Sequence, residues 1–196
     1  MGARRLIETE GRAFTLLEMI VSISMISFIT VLFVANYRSA NKRTDLIMTA
    51  QNLVADIHLA QNNTLGLVKY NDEVPAGGWG VAFNVSQNYY TLFADLDAPD
   101  TPGFLEMDTA TEALPQYGAR VTRLPEGISV SALTTVGTTS NAAVNVAFLP
   151  PDPRTNIYRI AANATSTALE IQLRETRNNS IKTVRLNFLG LVEVLD

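Results

Sequence analysis

Glu18 is the residue of this sequence whose position most needs a chemical explanation, because it is the single charged side chain in the apolar run 14–35. A carboxylate inside an apolar membrane segment costs about 2.5 to 3.5 kcal/mol on insertion scales, and more when it stays charged without a partner. Such a residue needs a specific reason for its position. The alternative is that Glu18, one turn from the start of the run, extends its carboxylate to the lipid headgroup level.

A second group of carboxylates lies in the stretch 94–106, which reads ADLDAPDTPGFLE. Hard cations such as Ca²⁺ prefer several oxygen ligands, so Asp95, Asp97 and Asp100 form a candidate Ca²⁺ site, with Glu106 nearby. The spacing is not that of an EF-hand loop, and an acidic loop that is simply solvated is the alternative. No other cofactor is predicted.

The composition disfavours an enzyme. The chain has no cysteine and one histidine, His58, which leaves Ser-His-Asp and Cys-His catalysis little to build on. No nucleophile elbow, phosphate-binding loop or zinc-protease pattern is present in the sequence. The net charge of -4 supplies no basic field for nucleic acid, so DNA becomes a plausible partner only for a fibre that takes up DNA.

Two helical patterns follow each other without an intervening proline or glycine. The apolar run 14–35 has 22 residues, which as a helix span roughly 33 Å and can cross a bilayer. Residues 36–66 then carry apolar side chains at helical spacing: Leu46, Ala50, Leu53, Val54, Ile57 and Leu65. We therefore expect one continuous helix, transmembrane in its first half and amphipathic in its second.

The remainder, 67–196, is predicted to be a β-rich head. After the turn cluster NDEVPAGGWG, short runs alternate apolar and polar residues, as antiparallel strands with one covered face do. These runs are 79–83, 89–94, 119–124, 128–133, 143–149, 156–161, 168–174, 182–188 and 191–195. The fold class is therefore α+β, with the amphipathic half of the helix packed on an antiparallel sheet.

The junction GRAFTLLEMI resembles the processing site of type IV prepilins and type II secretion pseudopilins, through Phe14, Thr15, Leu16 and Glu18. The resemblance implies that residues 1–13 are a leader, cut off by a prepilin peptidase between Ala13 and Phe14, and that the new amine of Phe14 is methylated. The family strongly prefers glycine where this chain has Ala13. Cleavage after Gly11 would move Glu18 out of the fifth mature position, which favours the Ala13–Phe14 bond.

The same resemblance assigns a role to Glu18 and a location to the chain. It implies that Glu18 pairs with the amine of mature Phe14, its own or that of the preceding subunit, and so sets the register of assembly. It also implies a single-pass protein of the bacterial inner membrane whose head is extracytoplasmic. The implied partners are membrane lipid before assembly, other pilin-like subunits, the peptidase and methylase, and the inner-membrane assembly machinery.

The head resembles the minor pilin and pseudopilin subgroup exemplified by the H pseudopilin, through WGVAF, AFLPPDP and TVRLNFLGLVEV. The lack of cysteine, and of any proline before Pro75, favours that subgroup over major pilins. The machine stays open between a type IV pilus, a competence pilus and a type II secretion pseudopilus, as does a tip or shaft position. A membrane-anchored binding protein that does not polymerise is the alternative function.

Overall fold

The computed structural model describes residues 15–85, 87–138, 140–150 and 154–195, apart from the side chains at 35–41. The chain divides into two compact units, Met1–Asn41 and Lys42–Asp196. Helix α1, Leu16–Leu65, contributes residues to both units.

In the first unit, helix α1 is apolar on every side. Its large apolar side chains between Leu16 and Val34 are 44% to 78% exposed, and none of this segment is buried. Leu16–Val34 has a mean hydropathy of 2.3 over 19 residues, which makes it the one helix in the described chain that is long and apolar enough to cross a membrane. This is compatible with a single-pass membrane anchor.

The described residues of the second unit form ten strands. They are Gly78–Asn84 (β1), Tyr89–Asp95 (β2), Arg120–Arg123 (β3), Ile128–Thr135 (β4), Ala143–Leu149 (β5), Arg154–Arg159 (β6), Ala164–Ser166 (β7), Ala168–Glu175 (β8), Ser180–Asn187 (β9) and Val192–Leu195 (β10). Each of the nine predicted β runs overlaps a strand, although the end of the run 156–161 lies in a short 3-10 helix, Ile160–Ala162. The three-residue β7 had not been predicted. The expected α+β class, with an N-terminal apolar helix and antiparallel sheets, is confirmed.

The strands form two antiparallel sheets. One has six strands in the order β3-β2-β1-β5-β6-β7, and the other has four in the order β10-β9-β8-β4. Alternate side chains of both sheets enter one apolar core, among them Val81 of β1, Val146 of β5 and Ile171 of β8. The β1–β5 and β4–β8 pairings join segments that are distant in sequence.

The same core contains one stripe of helix α1. Its fully buried members are Leu46, Ala50, Leu53, Ile57 and Ala60, spaced by three and four residues as one helical face requires. Leu65, which the sequence pattern placed on this stripe, is 57% exposed. The helical period continues the stripe from Ala60 to Thr64, so Leu65 points away from the core.

Two polar side chains of helix α1, Thr64 and Asp56, bond to the six-stranded sheet. Near its end, the hydroxyl of Thr64 donates to the Phe148 carbonyl of β5 at 3.0 Å and accepts the Trp79 amide of β1 at 3.0 Å. Earlier in the helix, Asp56 accepts the Tyr90 hydroxyl at 2.9 Å and forms an ion pair with Arg120. Burial raises the pKa of Tyr90, so its hydroxyl stays protonated and can donate.

The replacement Leu53→Ala should lower the free energy of unfolding of the second unit by about 2 to 5 kcal/mol, because it leaves a cavity in the core. Met48→Ala, on the same helix but 55% exposed, is the control and should change it by no more than about 0.5 kcal/mol. Urea unfolding of the full chain in detergent micelles, followed by fluorescence of its one tryptophan, Trp79, measures both. Equal losses for the two variants would contradict the assignment of the buried stripe.

Candidate functional site

The start of helix α1 is organised by Thr15. Its hydroxyl accepts the backbone N–H of Glu18 at 3.2 Å, and its carbonyl accepts the first intrahelical bond, from Met19. A threonine followed three residues later by glutamate is the pattern of a helix capping box, a signal that was available in the sequence and had not been used. The exposed carboxylate of Glu18 lies in the first turn, where the helix dipole favours negative charge.

Ala13 and Phe14, the residues predicted to flank the cleavage site, lie outside the described residues. Their role stays a prediction, as does the pairing of Glu18 with an amine. The described geometry adds that Glu18 is the one acidic residue in the first turn of helix α1. Any cation that pairs with Glu18 must therefore approach at the N-terminal end of the apolar segment.

Three of the small polar residues inside the apolar segment form hydrogen bonds within their own helix. Ser22 donates to the Glu18 carbonyl at 2.7 Å, Ser24 to Ile20 at 2.8 Å and Thr30 to Ile26 at 2.7 Å. Such bonds to the preceding turn satisfy the hydroxyl donors without a second helix. These three residues therefore need no hydrogen-bond partner from lipid or from a neighbouring helix.

In the second unit, the structure brings together Asp95, Asp97 and Glu112. One carboxylate oxygen from each lies within 4.8 Å of the others, and Asp95 and Glu112 are almost fully buried. Asp100, predicted from sequence as a third ligand, is exposed and is not a member of this group. Glu112 had not been predicted, because it lies outside the acidic stretch and reaches Asp95 only through the folding of the loop.

Backbone amides surround these two buried carboxylates. Asp95 accepts the N–H groups of Asp97 at 3.0 Å and Leu105 at 2.8 Å, one on each oxygen. Glu112 accepts those of Leu96 and Asp108, both at 2.8 Å. All four oxygens therefore hold the loop 96–111 in place between the end of β2 and Glu112.

Burial is the main reason why Asp95 and Glu112 are weaker acids than usual. It raises the pKa of Asp95 to about 7, and the negative charges of Glu112 and Asp97 add to the effect. Burial likewise raises the pKa of Glu112. The hydrogen bonds from backbone amides act in the opposite direction but are outweighed.

This arrangement has the oxygen chemistry that Ca²⁺ uses, since it offers three carboxylates at short range. A Ca²⁺ ion takes six to eight oxygens, and the four oxygens of Asp95 and Glu112 each already accept an amide hydrogen bond. Hydrogen bonding therefore accounts for the position of the group by itself. The assignment of Asp95, Asp97 and Asp100 as Ca²⁺ ligands stays a prediction.

His58, the one histidine of the chain, lies on the exposed side of helix α1. Its Nδ1 lies 2.8 Å from the side-chain oxygen of Gln61, whose amide nitrogen donates to the Gly190 carbonyl at 2.7 Å. This short chain of hydrogen bonds attaches the β9–β10 turn to the helix. Its contacts are those of a structural residue.

Comparison of this chain with protein-family models, curated proteins and solved structures found no match. The resemblance to the prepilin processing site therefore rests on the residues of the junction itself.

The raised pKa of Asp95 predicts that the head loses stability as the pH rises from 5 to 8 in a buffer without divalent cations. Between the unfolded pKa of about 3.9 and the folded value of about 7, the folded state binds more protons, so raising the pH favours unfolding. Glu112 contributes in the same direction. Asp108 and Glu175 have lowered pKa values and are charged in both states over this range.

The replacement Asp95→Asn should remove most of this slope, whereas Asp100→Asn, on an exposed aspartate of the same loop, should keep it. Melting temperatures of the full chain in micelles at several pH values measure the slope independently of any change in absolute stability. A slope that survives in Asp95→Asn would assign it to another group.

Proposed function

We propose that this chain is a pilin-like structural subunit, a minor pilin or pseudopilin. In this proposal a prepilin peptidase processes it, and it assembles through its N-terminal helix into a type IV pilus or a type II secretion pseudopilus. Before assembly it is a single-pass protein of the bacterial inner membrane with an extracytoplasmic head. Its partners are membrane lipid, the peptidase and methylase, the assembly machinery and other pilin-like subunits.

The observation that carries the proposal is the change in burial along one helix. From Leu16 to Val34 no side chain of helix α1 is buried, whereas the stripe from Leu46 to Ala60 lies in the core of the second unit. An apolar helical surface that its own chain does not cover must be covered by lipid or by other apolar helices. One helix that enters a membrane at one end and a globular core at the other supports the pilin-like interpretation.

Glu18 supports assembly over simple anchoring. An exposed carboxylate at the start of an otherwise apolar membrane segment is costly unless it reaches water or meets a cation. In the proposal, the methylated amine of mature Phe14, its own or that of the preceding subunit, supplies the cation. The pairing neutralises both groups and favours one axial position of neighbouring helices.

The processing step is tested by mass spectrometry of the N-terminus. The full chain, expressed with the prepilin peptidase of its host, should be recovered from the membrane fraction as a species that begins at Phe14 and carries one added methyl group. An Ala13→Gly variant should be cleaved at least as completely, because glycine is the preferred residue of the resembled site. Retention of Met1–Ala13 in both variants would favour the alternative, a membrane-anchored binding protein that does not polymerise.

The assembly role is tested by Glu18→Gln, which keeps the size of the side chain and removes its charge. Incorporation into fibres, measured as the ratio of sheared fibre protein to membrane protein, should fall by about tenfold, as the loss of a charge-assisted pair of this strength implies. Ser24→Ala is the matched control, since the Ser24 hydroxyl donates within its own helix. Unchanged incorporation of Glu18→Gln, with normal processing, would contradict the pairing.

A further inference from the structure

The six-stranded sheet has an outer face, opposite to the apolar core, whose residues form rows across neighbouring strands. The strand register places Asn145, Ala82, Thr91 and Val121 in one row, across β5, β1, β2 and β3. The next row contains Ala143 and Asn84, which are direct partners, and Tyr89 and Arg123, which are also direct partners. Small side chains therefore occupy the centre of this face, and larger ones lie toward β3.

One end of the outer face is closed by its own side chains and by the loop after β2. At the β1 position next to Phe93, a Cβ on Gly80 would lie 2.8 Å from the ring, so glycine lets the ring lie against the strand. Leu105 of the loop packs with Ala147 and Tyr158 in a small second apolar cluster. The loop thus covers one part of the outer face and borders the remaining, uncovered part.

The uncovered part is a groove of about 410 Å³ that is open to solvent. We call it the outer groove. Its floor includes Ala82 and Thr91, which are buried, and Ala143, which is half-buried; its rim includes Asn84, Tyr89 and Arg123, and Met107 of the loop forms one wall. The volume lies within the range of small-molecule sites, and a lining that mixes apolar side chains with a few polar groups is typical of such sites.

The outer groove carries a positive charge. Among its described lining residues Arg123 is the one charged side chain, and none is an aspartate or a glutamate. Arg123 is exposed, and its guanidinium forms no hydrogen bond or ion pair within the part of the chain that the structure describes. The groove therefore offers an available bidentate donor for a carboxylate, directly opposite the ring of Tyr89.

We propose that the outer groove binds a short acidic saccharide, such as an oligomer of a uronic acid. A sugar ring has an apolar C–H face that suits Ala143 and the Tyr89 ring, and hydroxyl groups that match polar side chains of the lining such as Gln87 and Thr109. The ring carboxylate then pairs with Arg123. A peptide is favoured less, because the backbone donors and acceptors of β1, β2 and β5 under the groove are already used within the sheet, so a peptide backbone can pair there with the edge strand β3 alone.

The proposal concerns the head alone and does not depend on assembly. The test uses the full chain in a detergent without a sugar headgroup, so that the detergent does not compete. Isothermal titration calorimetry with oligogalacturonates of two to four units should give saturable binding. Malto-oligosaccharides of the same length, which lack the carboxylate, should bind at least about tenfold more weakly, as the loss of a charge-assisted hydrogen bond implies.

Two variants assign the binding to the outer groove. Arg123→Gln should weaken binding of the acidic oligomer by about tenfold and leave that of the neutral oligomer unchanged. Ala143→Leu should abolish binding of both by filling the floor. Arg174→Gln, an exposed arginine on the other sheet whose Nε donates to Asn179, is the matched control and should bind as the wild type does.

Three results would overturn the proposal. The first is the absence of binding by any oligogalacturonate in the wild-type chain. The second is binding that Arg123→Gln reduces no more than Arg174→Gln does, which would indicate general charge attraction. The third is binding of an acidic peptide of the same length with equal or higher affinity, which would assign the outer groove to peptides.

Discussion

The second unit depends on the packing of one stripe of helix α1 into its apolar core. Leu46, Leu53 and Ile57 lie in the same core as the inward residues of both sheets, and each contributes about 1.5 to 3 kcal/mol through the apolar surface that it removes from water. Because the two sheets share this core, the helix is a common element for both. The hydrogen bonds of Thr64 and Asp56 then restrict how the helix lies on the six-stranded sheet.

The burial of Asp95 and Glu112 is a second constraint, and unlike the burial of the apolar stripe it is unfavourable by itself. Burying two carboxylates near each other is unfavourable, as their raised pKa values show, and it is tolerated because four backbone N–H groups point at them. Those four bonds hold the loop after β2 against the outer face of the six-stranded sheet. The loop's position decides which part of that face is covered and where the outer groove begins.

The exposed segment Leu16–Val34 differs from the buried stripe of the same helix. Its side chains gain nothing from the fold of this chain, because none is buried in it. The hydroxyls of Ser22, Ser24 and Thr30 are satisfied within the helix, so these side chains place little polar demand on their surroundings. A surface of this composition is unstable in water and stable in lipid or among similar helices, and both environments belong to the proposed function.

Features that depend on neighbouring residues could be predicted from the sequence by itself. The apolar run 14–35, the amphipathic stripe that follows it and nine of the ten described strands could be recognised from local composition and periodicity, because burial recurs every two residues in a strand and every 3.6 in a helix. The short strand β7 was missed because three residues carry too little of any period. The capping pattern of Thr15 and Glu18 was available in the same local way.

Contacts between distant residues were decided only by the tertiary structure. The proximity of Glu112 to Asp95, the exposure of Asp100, the β1–β5 and β4–β8 pairings and the outer groove all depend on how the chain returns on itself. Sequence periodicity indicates that a side chain is buried but does not identify the residue that packs against it. The physical reason is that burial of a strand face is satisfied by any apolar partner, whereas register and loop closure select one.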